Sequence, residues 1–168
     1  MFQSVINVSC ALVMVLVSAH ALAAGDSQAG QAKAATCVAC HGVDGNSAVP
    51  TFPKLAGLGH KYLLKQMQDI RDGRRPVALM AGQVDNMSDQ DLADIAAFYN
   101  EQSRTGGMAD PEKVALGRKV YLAGIAERQV PACSGCHSPT GNGNGPAGYP
   151  ALGLSLIHIS EPTRRYSI

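Results

Sequence analysis

Two pentapeptides bring together residue types that can bind a prosthetic group: Cys37-Val38-Ala39-Cys40-His41 and Cys133-Ser134-Gly135-Cys136-His137. Two thiols three positions apart, with an imidazole next in line, make the attachment pattern of c-type haem. The spacing has a physical cause. Thiols so placed reach two vinyl groups on one edge of a porphyrin, while the adjoining imidazole comes up beneath the iron as proximal ligand. Other readings fare worse. A thioredoxin-like redox pair sits in a βα setting, and no alternating strand pattern flanks either pair. A zinc site made from two such pairs sets them about 15–20 residues apart, whereas these stand 96 apart. With 5 His among 168 residues, chance places a His after a given pair about 3% of the time, and twice over on the order of one time in a thousand.

The motifs belong to an internal repeat. Phe52-Pro53-Lys54-Leu55 follows the first and Tyr149-Pro150-Ala151-Leu152 the second, with an offset of 96 at the cysteines and 97 at the prolines. One residue has therefore been inserted in a Gly/Asn-rich loop, as in a tandem duplication. Pro53 and Pro150 lie 12 and 13 residues after their histidines. Their carbonyls can accept a hydrogen bond from the proximal imidazole, or the prolines simply stiffen the loop. For a sixth ligand the first repeat offers Met67, Met80 and Met87. Met67 falls in the apolar stripe of a predicted helix and Met87 abuts a helix cap. Met80 sits in a non-helical stretch, 76–82, able to fold over the distal face, and is the expected ligand.

The elements that must position these residues read as helices. The stretches 29–35 and 111–123 precede the motifs, the second with Asp110 as N-cap and Pro111 at the first position. Tyr62, Leu63, Met67 and Ile70 recur at helical spacing and stop at Asp72-Gly73. A further helix spans 88–101, with Ser88 and Asp91 as a cap-like pair and Leu92, Ile95, Ala96 and Tyr99 on one face. The fold class expected is all-α.

Length and composition set bounds. A chain of 168 residues holds one ordinary domain or two small ones. Its net charge of +1 lacks the basic footprint of a nucleic-acid binder, and it is no acidic disordered tail. With 5% aromatics and no Trp, it is short of large core-filling side chains, so a bound group is expected to fill the interior. At the start, an uninterrupted apolar run from Cys10 to Val17, then Ala21-Leu22-Ala23-Ala24, precedes the first charged residue, Asp26. Residues 1–23 read as a secretory signal cleaved after Ala23 or Ala24, the run being shorter than the roughly 20 residues that span a bilayer. The remaining four cysteines then lie in an exported, oxidising setting. The stretch 154–168 breaks with the Gly- and Ala-rich sequence before it and reads as a non-native tail. Residues 24–153 balance 12 basic against 12 acidic side chains. The expected layout is a first domain at 24–101, a linker at 102–110 and a second, incomplete domain at 111–153.

The duplicated motifs, together with Gly42-Val43-Asp44-Gly45-Asn46-Ser47, Phe52-Pro53-Lys54-Leu55-Ala56-Gly57, Tyr62-Leu63-Leu64-Lys65-Gln66 and the 87–96 stretch beginning Met87-Ser88-Asp89, resemble the cytochrome c4 family across residues 24–153. That resemblance implies two tandem class I cytochrome c domains with their haems facing. It implies haem c attached at Cys37, Cys40, Cys133 and Cys136, with His41 and Met80 on the first iron and His137 on the second. It further implies a periplasmic, respiratory-chain electron carrier, not an enzyme, with a quinol-oxidising complex as donor and a terminal oxidase as acceptor, and leaves loose membrane association open. In one respect the chain departs from the family. The 97-residue offset carried onto Met80 falls near position 177, past the last residue, and no Met follows Met108. As written, the second iron would be left open or taken by His158, in the 154–168 tail; truncation explains the absence more simply, since the counterparts of two helices are missing along with the Met.

Two alternatives follow: a peroxidase-like or ligand-binding second haem, and a cytochrome subunit of a larger oxidoreductase. Lys61, Lys65, Arg71, Arg74 and Arg75 suggest a docking patch for an acidic partner, but Asp69 and Asp72 interrupt it, and an ordinary solvated helix face is the simpler reading. His60 reads as a solvated residue at a helix start.

Overall fold

Asp26 caps the first described helix. The computed structural model describes residues 25–106 and 110–152. The Asp26 carboxylate accepts from the backbone N–H groups of Gln28 at 2.8 Å and Ala29 at 3.1 Å, satisfying donors that the first turn leaves open. Helix α1 (Ser27–Lys33) passes through a 3-10 turn (Ala34–Thr36) into α2 (Val38–His41), then α3 (His60–Arg71), a 3-10 turn (Ala78–Met80) and α4 (Asp89–Glu101). In the second repeat, α5 (Pro111–Ala123) leads through a 3-10 turn (Ala126–Arg128) to α6 (Ser134–His137). Among the described residues there is no strand, only the isolated bridges Ile125–Val130 and Asn144–Tyr149. The all-α expectation holds.

Local chemistry set most of these boundaries. Ser88 and Asp91 form a reciprocal capping box on α4, and Asp110 with Pro111 starts α5. Two details differ from the sequence reading. The Cys-His motif forms its own short helix instead of trailing off α1, and Met80 closes a 3-10 turn instead of lying in open loop.

Helix α4 is the centre of the first repeat. Periodicity marks one apolar face, yet every residue from Leu92 to Tyr99 is buried, because α1 packs on one side and α3 on another. Full burial of Leu92 and Ile95 contributes about 1.5–3 kcal/mol each. The α1 crossing is close: a Cβ on Gly30 would stand 1.9 Å from the Asp94 carbonyl oxygen, so only glycine admits this packing. His60, expected in solvent, instead donates through Nε2 to the Ala93 carbonyl at 3.2 Å, tying the start of α3 to α4.

One charge lies inside this packing. Asp94 is buried and accepts from the Asp26 N–H at 2.8 Å, Lys33 Nζ at 2.5 Å and Gln90 Nε2 at 2.7 Å. Burial alone would raise its carboxyl pKa, but these three donors outweigh burial and hold it below the ordinary value. The brace joining α1 to α4 is therefore strongest while Asp94 is ionised.

The second repeat is covered less. Val114, Leu116 and Leu122 of α5 are exposed, while Ala151 is buried at 2%. Lys61 Nζ donates to the Pro146 carbonyl at 2.7 Å, a contact between the repeats. The expected signal at 1–23 and the expected tail at 154–168 lie outside the described residues, as do residues 24, 107–109 and 153.

Because the folded carboxyl of Asp94 titrates below the unfolded value of 3.8, its contribution to stability is complete above that pH and disappears as pH falls through the lower folded value. Thermal melts of the Asp94→Asn variant between neutral pH and pH ~3 are expected to start from a lower melting temperature and to fall less steeply with acid than the unmodified chain.

Candidate functional site

The turn at Cys37–His41 gathers three side chains on one wall of a cavity. Backbone bonds from His41 N–H to Cys37 O at 2.9 Å and from Cys40 N–H to Cys37 O at 3.3 Å wind the segment tightly enough for both thiols and the imidazole to reach the same space. That space has a volume of about 410 Å³, ordinary for a prosthetic-group or ligand site. Cys37, Cys40, His41, Pro53 and Met80 line it, together with the core residues Leu63 and Ile95.

His41 is buried, and its Nδ1 donates to the Pro53 carbonyl at 2.8 Å. A carbonyl only accepts, so the proton sits on Nδ1 and Nε2 is left as the ring nitrogen with a free lone pair. The edge of Phe52 approaches the ring at 6.3 Å between centroids. The acceptor is presented by a loop that Gly45 organises: with φ at +76°, it turns its carbonyl to accept from the N–H groups of Leu55 at 2.7 Å and Ala56 at 3.2 Å.

The same arrangement recurs at the second motif. His137 Nδ1 donates to the Pro150 carbonyl at 2.8 Å, Tyr149 stands edge-on at 5.7 Å, and Gly141, φ +76°, accepts from the Leu152 N–H at 2.8 Å. Tyr121 Oη donates to the Ser138 carbonyl, bracing the turn after His137. Of the two roles considered for the prolines, both carbonyls take that of imidazole acceptor. The segments α3 and α4, which supply the far wall of the first cavity, have no counterpart within residues 111–152.

All three methionines of the first repeat reach the cavity wall, but not equivalently. Met67 and Met87 pack against the buried core, whereas Met80 does not belong to that cluster. The basic side chains of α3 and the turn after it are largely matched by carboxylates: Lys65 and Arg74 with Asp69, Arg74 and Arg71 with Asp72, Arg71 with Asp89. This is the solvated face anticipated from the interrupting aspartates. Arg75 lines the cavity, with Nη1 donating to Gln66 Oε1 at 2.6 Å. Sequence reasoning missed Arg75 and Gln66 as wall residues and gave Tyr99 to the helix face alone. Tyr99 also lines the cavity, with its hydroxyl buried near the Cys37 thiol. Burial, and then the nearby Cys37 thiol, push its pKa up.

These residues fit a covalently attached haem. The cavity is walled mainly by apolar side chains and carries two free thiols, an imidazole already oriented on one nitrogen, and the Met80 thioether in its wall. It also has one arginine in its wall, suited to the carboxylates such a group bears. Among the described residues no three His, Cys, Asp or Glu side chains cluster to hold a bare metal ion.

An all-α chain with two such cysteine-histidine turns, each imidazole fixed by a proline carbonyl, defines a c-type cytochrome of class I architecture. The cytochrome c family model matches residues 27–102. Cytochrome c4 of Pseudomonas aeruginosa is 60% identical over 131 residues, covering 78% of this chain and 65% of that protein. Cytochrome c4 of Azotobacter vinelandii is 54% identical over 150 residues, covering 84% and 71%. The crystal structure of reduced recombinant cytochrome c4 from Pseudomonas stutzeri superposes with a TM-score of 0.77 at 50% identity, over 80% of this chain and 76% of that one. The chain belongs to the cytochrome c4 family, di-haem electron-carrier cytochromes rather than enzymes, with haem c covalently bound. It spans about two-thirds of the length of the curated relatives it matches.

Replacing Cys133 and Cys136 together by Ser is expected to halve the haem content per chain, read as pyridine haemochrome, while leaving the absorption spectrum of the first site in place.

Proposed function

We propose that this chain carries single electrons between protein partners in the periplasm, using two covalently attached haems. Cys37 and Cys40 hold the first by thioether bonds, with His41 and Met80 as its axial ligands. Cys133 and Cys136 hold the second, with His137 as its proximal ligand. The observation that carries this reading is the pair of 2.8 Å bonds from His41 and His137 to the carbonyls of Pro53 and Pro150. Two turns equipped in the same way argue for two redox centres of one kind.

When bound, the haem supplies the one-electron change at iron; the protein sets how readily it occurs. The Pro53 carbonyl draws on the Nδ1–H of His41 and makes Nε2 a stronger base, which favours the ferric state. A thioether is soft and favours the ferrous state. Support for Met80 over Met67 and Met87 comes from its place outside the packed core, where its side chain can turn inward without opening a hole. The buried apolar residues Leu63 and Ile95 exclude water from the site.

The partners fit a respiratory chain, with a quinol-oxidising complex as donor and a terminal oxidase as acceptor, an assignment that rests on family membership. Export rests on the apolar run at 10–17 and the small residues before Asp26. Among the described residues no helix is long and apolar enough to cross a membrane. The layout proposed is that read from the sequence: a domain at 24–101, a linker at 102–110 and a second domain from 111.

Spectroelectrochemical titration of the haem-loaded protein is expected to show two one-electron waves and no turnover of peroxide. Sustained peroxide reduction at the second haem would replace the carrier by a peroxidase. In the same titration, Met80→Ala is expected to lower the first potential by on the order of 0.1–0.2 V, within the roughly 0.8 V that axial ligands span, and to let cyanide bind. Met67→Leu and Met87→Leu are expected to do neither.

A further inference from the structure

The segment after α4 is stitched along the loop that carries Pro53. Asn46 Nδ2 donates to the Ser103 carbonyl at 2.9 Å. The Thr105 N–H and Oγ1 donate to Asn46 Oδ1 at 2.8 Å and 3.0 Å. Lys54, next to Pro53, donates through Nζ to the Thr105 carbonyl at 3.2 Å and to Thr105 Oγ1 at 2.6 Å. Arg104 Nη2 reaches the Gly57 carbonyl at 3.0 Å. Three consecutive residues thus grip a loop of a dozen residues at both its ends. Asn46 is held on its other side by Asp44, its Nδ2 donating to Oδ2 at 2.8 Å, so its amide is oriented before the strap arrives.

The second repeat provides an internal comparison. The 96- and 97-residue offsets put Asn142 where Asn46 stands and Ala151 where Lys54 stands. Ala151 has no amine to reach outward, and it is buried. Yet His137 and Pro150 are also 2.8 Å apart. The strap therefore does not create the imidazole–carbonyl bond, and among the described residues it is present only in the first repeat.

We propose that residues 103–105 are a strap that locks the Pro53 carbonyl onto His41, making Asn46, Lys54 and Thr105 positioning residues that hold the first haem's reduction potential below the value an unstrapped loop would give. This rests on the haem ligation proposed above. A carbonyl kept in place keeps the Nδ1–H bonded and Nε2 basic, and so favours ferric iron. An acceptor that drifts weakens that push, and the potential rises.

The test uses the holoprotein with both haems attached and the charge-neutral pair Asn46→Ala with Thr105→Val. It removes the amide and the hydroxyl on which the strap depends, and leaves Lys54 and every ligand in place. In the reduced protein, NMR is expected to show the His41 Nδ1–H exchanging with solvent at least tenfold faster. The ratio of reduced to oxidised first haem at a fixed potential is expected to rise about threefold, about 28 mV for a one-electron couple. The His137 Nδ1–H and the second haem are expected to stay unchanged. Unaltered exchange and potential, even with a lower melting temperature, would reduce the strap to a structural clamp and overturn the proposal. Equal changes at both haems would overturn it too, since that is general loosening. Should the double variant fail to take up haem, Asn46→Ala alone carries the same readouts. A failure of the ligation itself is seen separately, as unmodified protein lacking haem at Cys37 and Cys40.

Discussion

The hydrogen bond from His41 Nδ1 to the Pro53 carbonyl organises the first repeat. An imidazole offers two nitrogens and can rotate, so a histidine beside two thiols is not yet a ligand. The carbonyl fixes the ring's orientation and its tautomer in one contact, leaving Nε2 for the cavity. Much of the loop from 42 to 57 follows from the need to present that acceptor. Gly45 adopts a left-handed conformation so that its own carbonyl can hold the N–H groups of Leu55 and Ala56. Phe52 stands against the ring edge.

Around this bond the helices enclose space instead of filling it. Helix α4 is buried on all sides along Leu92–Tyr99, gripped by α1 at the Gly30 crossing and by α3 through Leu63. The cavity lies against these elements, and a chain with so few aromatics has few large side chains to close it. A covalently fixed group suits such a site, because a small domain gains cohesion from a staple that its own residues cannot supply. Asp94 supplies the polar part of the framework, bridging α1 and α4 by three donors in a place where an unpaired charge would be costly.

The repeats share their ligand-bearing halves and differ elsewhere. Both have the short helical turn, the proline acceptor, the aromatic edge and the left-handed glycine, in the same geometry despite the inserted residue. The first adds a far wall with Met80 and a strap; within residues 111–152 the second shows neither, and α5 presents Val114, Leu116 and Leu122 to solvent. Duplication has preserved what an imidazole ligand requires locally.

The sequence by itself determined the chemistry and the helices. Cys-x-x-Cys-His works through spacing along one turn, the Ser88–Asp91 and Asp110–Pro111 caps act within four residues, and a duplicated pattern is visible without knowing what it packs against. Local interactions are legible because their partners are neighbours in the chain. Tertiary structure alone decided between the two roles open to Pro53 and Pro150, since a carbonyl's direction depends on a loop's path. It also drew His60 out of solvent onto the Ala93 carbonyl, buried Asp94, and turned Tyr99 and Arg75 toward the cavity. Each of those outcomes joins residues far apart in sequence, and no periodicity records which distant carbonyl, helix or cavity a side chain will meet once the chain has closed on itself.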